Sequence, residues 1–184
     1  TGKPVVARMN GMAASGGFYI AMGAEKIMAH PSCLTGSIGV IIQAWNGTGM
    51  LEKLGLELVT LTSGPNKDLL NPGKPMSEEH REIIQGIVDD AYDSFVGAVT
   101  AGRGMDEALV RKLADGRIYT ARQALELSLI DAVGYEEDLL AMLREVAGVE
   151  SVGVVDHKLP SPLWEMLELG LSGFPEPPRP GARP

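Results

Sequence analysis

The apolar residues of this chain form short continuous runs in its first third and follow a wider spacing after residue 76. Four of the short runs predict strands, at residues 4–9, 26–29, 34–42 and 56–62. Between the first two runs, small residues from Met12 to Gly17 lead into an apolar segment from Phe18 to Ala24. The order of strand, tight turn, helix and strand predicts a βαβ unit.

After residue 76 the spacing is that of amphipathic helices. The longest predicted helix begins after Ser77 and ends near Ala101, and its apolar positions recur at intervals of three and four: Ile84, Ile87, Val88, Ala91, Phe95 and Val99. Further helices are predicted at 50–54, after Asp106, at 121–128 behind a Thr120–Gln123 capping box, and at 136–146. Two further short strands are predicted at 129–133 and 152–155. The fold class expected is therefore α/β, with βαβ units followed by a helical C-terminal part.

Length and composition indicate one packed domain. The chain has 184 residues, of which 45% are hydrophobic. Its last 14 residues contain five prolines and two glycines, a composition typical of a disordered tail. Before that tail, residues 162–169 form a short apolar stretch containing Trp164 that could dock on another surface.

Charge and motifs exclude several functional classes. The formal charge of −8 argues against a nucleic-acid partner. The one cysteine, Cys33, cannot form an internal disulfide and is expected to be a small core residue. The sequence has no CxxC, HExxH or GxxxxGK motif, so neither a metal nor an organic cofactor is expected. It also contains no run of eighteen apolar residues that would span a membrane.

Ser15 is the candidate for chemistry that the residues themselves suggest. It is predicted at the first turn of a helix, where unpaired N–H groups could stabilise an oxyanion, and the glycines at 16 and 17 leave space for a substrate backbone. The alternative is an ordinary helix N-cap, because serine is a favoured capping residue. A Ser–His–Asp triad through His30 is a further possibility, although a surface or capping role explains that histidine equally well.

Five motifs in order resemble the signal peptide peptidase A family of serine proteases, which has a crotonase-like α/β fold shared with caseinolytic protease. They are ASGGFY at 14–19, TGSIGV at 35–40, LEKLG at 51–55, SGPNKD at 63–68 and GRIYTA at 116–121. The resemblance covers residues 4–135.

The resemblance implies a role for four residues. Ser15 matches the nucleophile of the family, and Lys67, which lies 52 residues further on, matches its general base. Ser37 resembles the residue whose hydroxyl positions the lysine amine, and Gly16 resembles the residue that supplies an oxyanion-binding N–H. The loop departs from the family pattern at 65–67, where Pro-Asn-Lys stands in place of a Lys-Tyr-Lys run.

The chemistry of such a dyad places a demand on Lys67. A free lysine has a pKa of about 10.4, so it is protonated at neutral pH and cannot accept the serine proton. Burial away from acids would favour the neutral amine, which requires the adjacent Asp68 to be turned away or paired elsewhere. The alternative is a solvated loop lysine.

The same resemblance predicts how the chain is organised. Residues 1–156 are expected to be a protease catalytic domain that lacks the upstream half of the family domain, with its Pro-Gly-Gly oxyanion loop and membrane anchor. Residues 157–184 are expected to be a C-terminal segment and proline-rich tail. The chain begins at Thr1 and enters a strand at once, which suggests a fragment or a processed product.

The expected function is a serine endopeptidase that cleaves short apolar peptides, such as released signal peptides, and forms a homo-oligomer. By resemblance, it would lie in the bacterial cell envelope, associated with the inner membrane through a segment outside these residues. Two alternatives remain open: a catalytically impaired or non-catalytic assembly subunit of the same fold, and a crotonase-type acyl-CoA enzyme.

Overall fold

Two small sheets form the framework of the structure, a computed structural model that describes residues 2–155. The first sheet is parallel, in the order β1 (Val6–Met9), β3 (Lys26–Ala29) and β6 (Ala132–Val133). In the second sheet, β2 (Met12–Ala14) runs parallel to β4 (Leu34–Gly36), which pairs antiparallel with β5 (Ile118–Thr120). Gly11, with a φ of 61°, turns the chain from the first sheet to the second.

The described part of the chain contains six helices: α1 (Gly16–Ala21), α2 (Thr48–Leu54), α3 (Glu78–Arg103), α4 (Glu107–Leu113), α5 (Ala121–Glu126) and α6 (Glu136–Ala147). The predicted caps are confirmed. Ser77 accepts the His80 N–H, and Asp106 accepts two N–H groups at the start of α4. Thr120 and Gln123 form the capping box of α5. These caps satisfy N–H groups that have no partner inside a helix.

The predicted βαβ unit and α/β class are confirmed. Strands β1 and β3 pair in parallel, and α1 lies in the connection between them, with β2 inserted ahead of it. Phe18 of α1 and Ile27 of β3 are fully buried, as are Val96 and Val99 on the inner face of α3. Near its end α3 passes so close to α1 that a Cβ at Gly102 would lie 2.8 Å from the Met22 carbonyl oxygen.

Several predicted strands are shorter than expected or wrong. The run at 34–42 is a strand only to Gly36, because Gly36 and Ser37 adopt positive φ values of 79° and 50° and turn the chain out of the sheet. The run at 129–133 is a strand only over its last two residues. Residues 12–14, predicted as part of a turn, form β2.

The strands predicted at 56–62 and 152–155 are wrong. Neither stretch pairs with a strand in the described structure, and the apolar side chains that suggested burial are exposed, among them Val59 and Leu61 at 73% and 94% and Val155 at 74%. An alternating pattern alone does not create a strand, since a strand needs a partner for its backbone hydrogen bonds.

By its contacts the chain divides into Thr1–Glu150 and Ser151–Pro184. The predicted C-terminal segment 157–184, with its apolar stretch at 162–169, lies outside the described residues. Within 2–155, no helix has both the length and the apolar character needed to cross a membrane.

Candidate active site

Ser15 lies in a strained turn between β2 and α1. Its backbone has φ 52° and ψ −118°, a conformation that typically costs a non-glycine residue about 1–3 kcal/mol. Two hydrogen bonds hold the turn: the Ser15 N–H donates to the Gly36 carbonyl at 2.8 Å, and the Ser15 carbonyl accepts the Tyr19 N–H at 2.9 Å. Ser15 is exposed, and its side chain makes no capping bond to the described helix α1. Ser15 therefore occupies the N-cap position of α1 but lacks the side-chain hydrogen bond of an ordinary N-cap.

Ser15 lines a broad cavity of about 1110 Å³. Its walls come from α1, the segment that follows β4, the middle of α3 and the turn before β5. Most of the lining is apolar or aromatic, and the residues that form it include Tyr19, Val40, Ile41, Tyr92, Phe95 and Ala114. A cavity of this size and lining fits an apolar segment of a peptide better than a small charged ligand.

Three of the four residues implied by the resemblance meet at this cavity, because Gly16 and Ser37 line it together with Ser15. Ser37 follows the end of β4, and its N–H donates to the Arg117 carbonyl at 2.8 Å. Since β4 is hydrogen-bonded to β2, which leads into Ser15, the second sheet fixes both serines on one framework.

Aromatic side chains brace the cavity walls. The rings of Tyr19 and Phe95 pack edge to face with centroids 5.2 Å apart, so α1 and α3 hold each other in place beside Ser15. The Tyr92 hydroxyl donates to the Ala114 carbonyl at 3.0 Å and ties α3 to the turn before β5. The helical spacing of α3 identified Phe95 as inward-facing, but nothing in the sequence indicated that it would face the Ser15 cavity.

The turn at 115–117 supplies the charged edge of the cavity. Asp115 lines the cavity and forms an ion pair with Arg117. The hydrogen bond from Arg117 lowers the pKa of the Asp115 carboxyl, so it is ionised at neutral pH. Gly116 donates its N–H to the Ile38 carbonyl at 3.2 Å and fastens the turn to the segment after β4. The GRIYTA motif contains Gly116 and Arg117, but nothing in the sequence indicated that this turn would line the site.

Lys67 lies elsewhere in the described chain. It is exposed and lines a separate, open cavity of about 520 Å³ with Asp68, Asn71 and Leu58. Lys67 is not among the described residues that line the Ser15 cavity. In a single copy of the described chain, Ser15, Gly16 and Ser37 therefore line one cavity, and Lys67 lines another.

His30 forms no triad with Ser15 in the described structure. Its Nδ1 lies 2.7 Å from the Ser32 hydroxyl, and its ring packs edge to face on Tyr135 with centroids 5.2 Å apart. These contacts agree with a surface or capping role for His30, the alternative to a triad. Cys33 is buried in the core, and burial raises the pKa of its thiol. No cluster of three potential metal ligands occurs among residues 2–155.

Comparison with known proteins identifies similarity to peptidases. Residues 1–150 match the sequence model of peptidase family S49. A candidate signal peptide peptidase, SppA, of Enterococcus faecium is 45% identical over 155 residues, which are 84% of this chain and 45% of that protein. A candidate protease of Synechocystis is 44% identical, covering 79% of this chain and 53% of that protein. The chloroplastic serine protease SPPA of Arabidopsis thaliana is 34% identical over 86% of this chain and 24% of that protein.

The chain thus spans about half the length of the first two of these relatives. Among solved structures, a membrane-bound stomatin-specific protease is similar with a TM-score of 0.43 and 16% identity, over 75% of this chain and 54% of the other.

Proposed function

This chain belongs to peptidase family S49, and we propose that it is a serine endopeptidase with Ser15 as nucleophile and Lys67 as general base. The observation that carries the proposal is the strained turn that presents Ser15, exposed and without a side-chain capping bond, on the wall of a largely apolar cavity. Strain of this kind concentrates at active sites, where a fixed framework holds a reactive side chain in position.

In the proposed reaction the Ser15 hydroxyl attacks the carbonyl carbon of a peptide bond while its proton passes to the neutral Lys67 amine. The negative charge then develops on the carbonyl oxygen. Gly16 is the proposed donor to that oxygen, because its N–H belongs to the first turn of α1, beside the nucleophile. Ser37 is proposed to orient the lysine amine, which suits its place in the cavity. Because the amine must be neutral, activity is expected to rise with pH.

The position of Lys67 suggests that the active site forms between two copies of the chain. A general base has to come within hydrogen-bond reach of the nucleophile, yet Lys67 belongs to a different cavity from Ser15 in one copy. We therefore propose a homo-oligomer in which the Lys67 loop of one copy reaches the Ser15 cavity of the next. A repeated head-to-tail contact of this kind closes into a ring when the rotation between copies permits it.

The proposed substrates are short apolar peptides, such as released signal peptides. The apolar walls of the Ser15 cavity support this choice, and so does the name of the Enterococcus relative. Association with the inner membrane of a bacterial envelope, through a segment outside these residues, is proposed by resemblance alone.

A second candidate is a non-catalytic subunit of the same fold, which the placement of Ser15 and Lys67 in different cavities favours. The acyl-CoA alternative has less support, because the family is one of peptidases and the acid in the cavity, Asp115, is already paired with Arg117.

Labelling with a fluorophosphonate, which reacts with activated serines, tests the proposed function. The wild-type chain should be labelled at Ser15 and should cleave apolar peptides. Ser15→Ala should lose the label and at least about 1,000-fold of the cleavage rate. Ser94→Ala, which alters another serine of the same cavity, is the matched control and should retain both the label and the cleavage rate. Unlabelled, folded wild-type protein would instead support the non-catalytic subunit.

A further inference from the structure

The loop that carries Lys67 contains an ion pair whose position bears on the proposed base. The Lys74 Nζ lies 2.7 Å from Oδ1 of Asp68, the residue next to Lys67. The Asn71 amide donates to the other oxygen of that carboxylate, Oδ2, at 3.1 Å. Both oxygens of Asp68 are therefore occupied by partners other than Lys67. The Asp68 side chain is 15% exposed.

Asn71 connects this ion pair to the surrounding chain. Its amide also donates to the Thr60 hydroxyl at 3.0 Å, its side-chain oxygen accepts the Gly73 N–H at 2.8 Å, and its own N–H donates to the Asp68 carbonyl at 3.0 Å. A second tie joins the loop to α3, where the Asn66 amide donates to Glu79 at 3.4 Å. Hydrogen bonds thus hold the chain on both sides of Lys67, through Asn66 before it and Asn71 after it.

We infer that Asp68, Asn71 and Lys74 are positioning residues for Lys67. They hold the adjacent carboxylate away from the lysine amine and fix the loop that presents it. This inference rests on the proposed function in treating Lys67 as the base. Its physical basis is that a free carboxylate close to a lysine favours the protonated amine, the form that cannot accept the Ser15 proton.

The charges around the loop support this assignment. Among the described residues, the charged neighbours that make contacts here are Asp68 and Lys74 within the loop and Glu79 at the start of α3. The segment at 58–60 contributes only Leu58 and Thr60 to the cavity. The hydrogen bond from Lys74 lowers the pKa of the Asp68 carboxyl. The carboxylate is therefore ionised at neutral pH, where its negative charge needs a cationic partner.

The test measures how readily Lys67 is acetylated as a function of pH, by competitive labelling of the full chain and peptide mass spectrometry. This readout requires no peptidase activity. Lys74→Met leaves Asp68 ionised without its cation, so the pH midpoint of Lys67 labelling should rise. Asp68→Asn should move the midpoint down. The double variant removes both charges and should return it close to the wild-type value, whereas Lys74→Arg should leave it unchanged.

Lys26→Met is the matched control, since Lys26 also pairs with an aspartate, Asp131, and is 48% exposed where Lys74 is 41% exposed. It should not move the Lys67 midpoint. A midpoint that stays fixed in both single variants, or that moves the same way in both, would overturn the inference. Full peptidase activity in the Lys67→Ala variant would overturn the proposed function instead. The labelling shifts are measured in variants that keep Lys67 and do not depend on that result, so the two failures are distinguishable.

Discussion

The backbone N–H of Ser15 donates to the carbonyl of Gly36 across the second sheet, at 2.8 Å. This bond joins the turn of the candidate nucleophile to the end of the strand that leads into Ser37. The geometry depends on glycine at 36, because its φ is 79° and a Cβ there would lie 2.5 Å from the Tyr119 ring. Tyr119 is buried and its hydroxyl donates to the Leu113 carbonyl, so the ring has no room to move away.

Gly36→Ala is therefore expected to lower the free energy of unfolding by about 2–4 kcal/mol, through the positive φ and the clash with Tyr119. Urea unfolding followed by circular dichroism measures the change. Gly86→Ala is the control: Gly86 lies in α3, and a Cβ added there would meet nothing within 4 Å, so alanine should raise stability by up to about 1 kcal/mol. Equal stability of Gly36→Ala and wild type would show that Gly36 is not required here.

Asp131 should make stability depend on pH. Burial alone would raise the pKa of its carboxyl, but hydrogen bonds from Arg103 and the Ile27 N–H, both at 2.8 Å, outweigh burial and lower it. A carboxyl with a lowered folded-state pKa stabilises the fold above its unfolded pKa of about 3.9, and this contribution is lost as the pH falls below that value.

Asp131→Asn should therefore lower the free energy of unfolding by about 2–3 kcal/mol at pH 7. The difference in stability between this variant and wild type should shrink below about pH 4. Urea titrations at several pH values measure both. The control is Glu136→Gln, which removes a more exposed partner of Arg8 and should change stability by less than about 0.5 kcal/mol. If Asp131→Asn lost the same amount of stability at every pH, the loss would come from packing and not from the charge of Asp131.

Subunit complementation tests the proposed shared site. Ser15→Ala and Lys67→Ala should each be inactive alone. After dissociation, mixing in equal amounts and reassembly, about a quarter of the sites should combine an intact serine with an intact lysine, and activity should recover to about that fraction. If mixed assemblies form normally but stay inactive, both members of the dyad come from one chain.

Substrate preference should follow the lining of the Ser15 cavity. Its walls are largely apolar, and its described acid, Asp115, already has a partner in Arg117. Peptides with a small or apolar side chain at the cleavage site should therefore be cut at least about tenfold faster than peptides with a charged one, because burying an unpaired charge is unfavourable. A peptide library read by mass spectrometry gives the preference, and selection of Lys or Arg at that position would contradict it.

Local signals in the sequence were sufficient for the helices and for the family. The cap of α3 at Ser77 and the capping box at Thr120 are short-range patterns, and the structure places both as predicted. The family follows from five motifs that each occupy a few consecutive residues. Roles for Ser15, Lys67, Ser37 and Gly16 came from those motifs, and they stay predictions until the variants are measured.

Pairing between distant segments was decided by the tertiary structure. Strand β5 forms because residues 118–120 meet β4, more than 80 residues earlier in the chain, whereas the equally apolar run at 56–62 meets no strand in the described structure and stays exposed. The cavity walls at Tyr92 and Asp115, and the placement of Lys67 and Ser15 in different cavities, arise in the same way. Propensity and spacing act over a few residues, but strand partners and cavity walls depend on which distant surfaces meet when the chain packs.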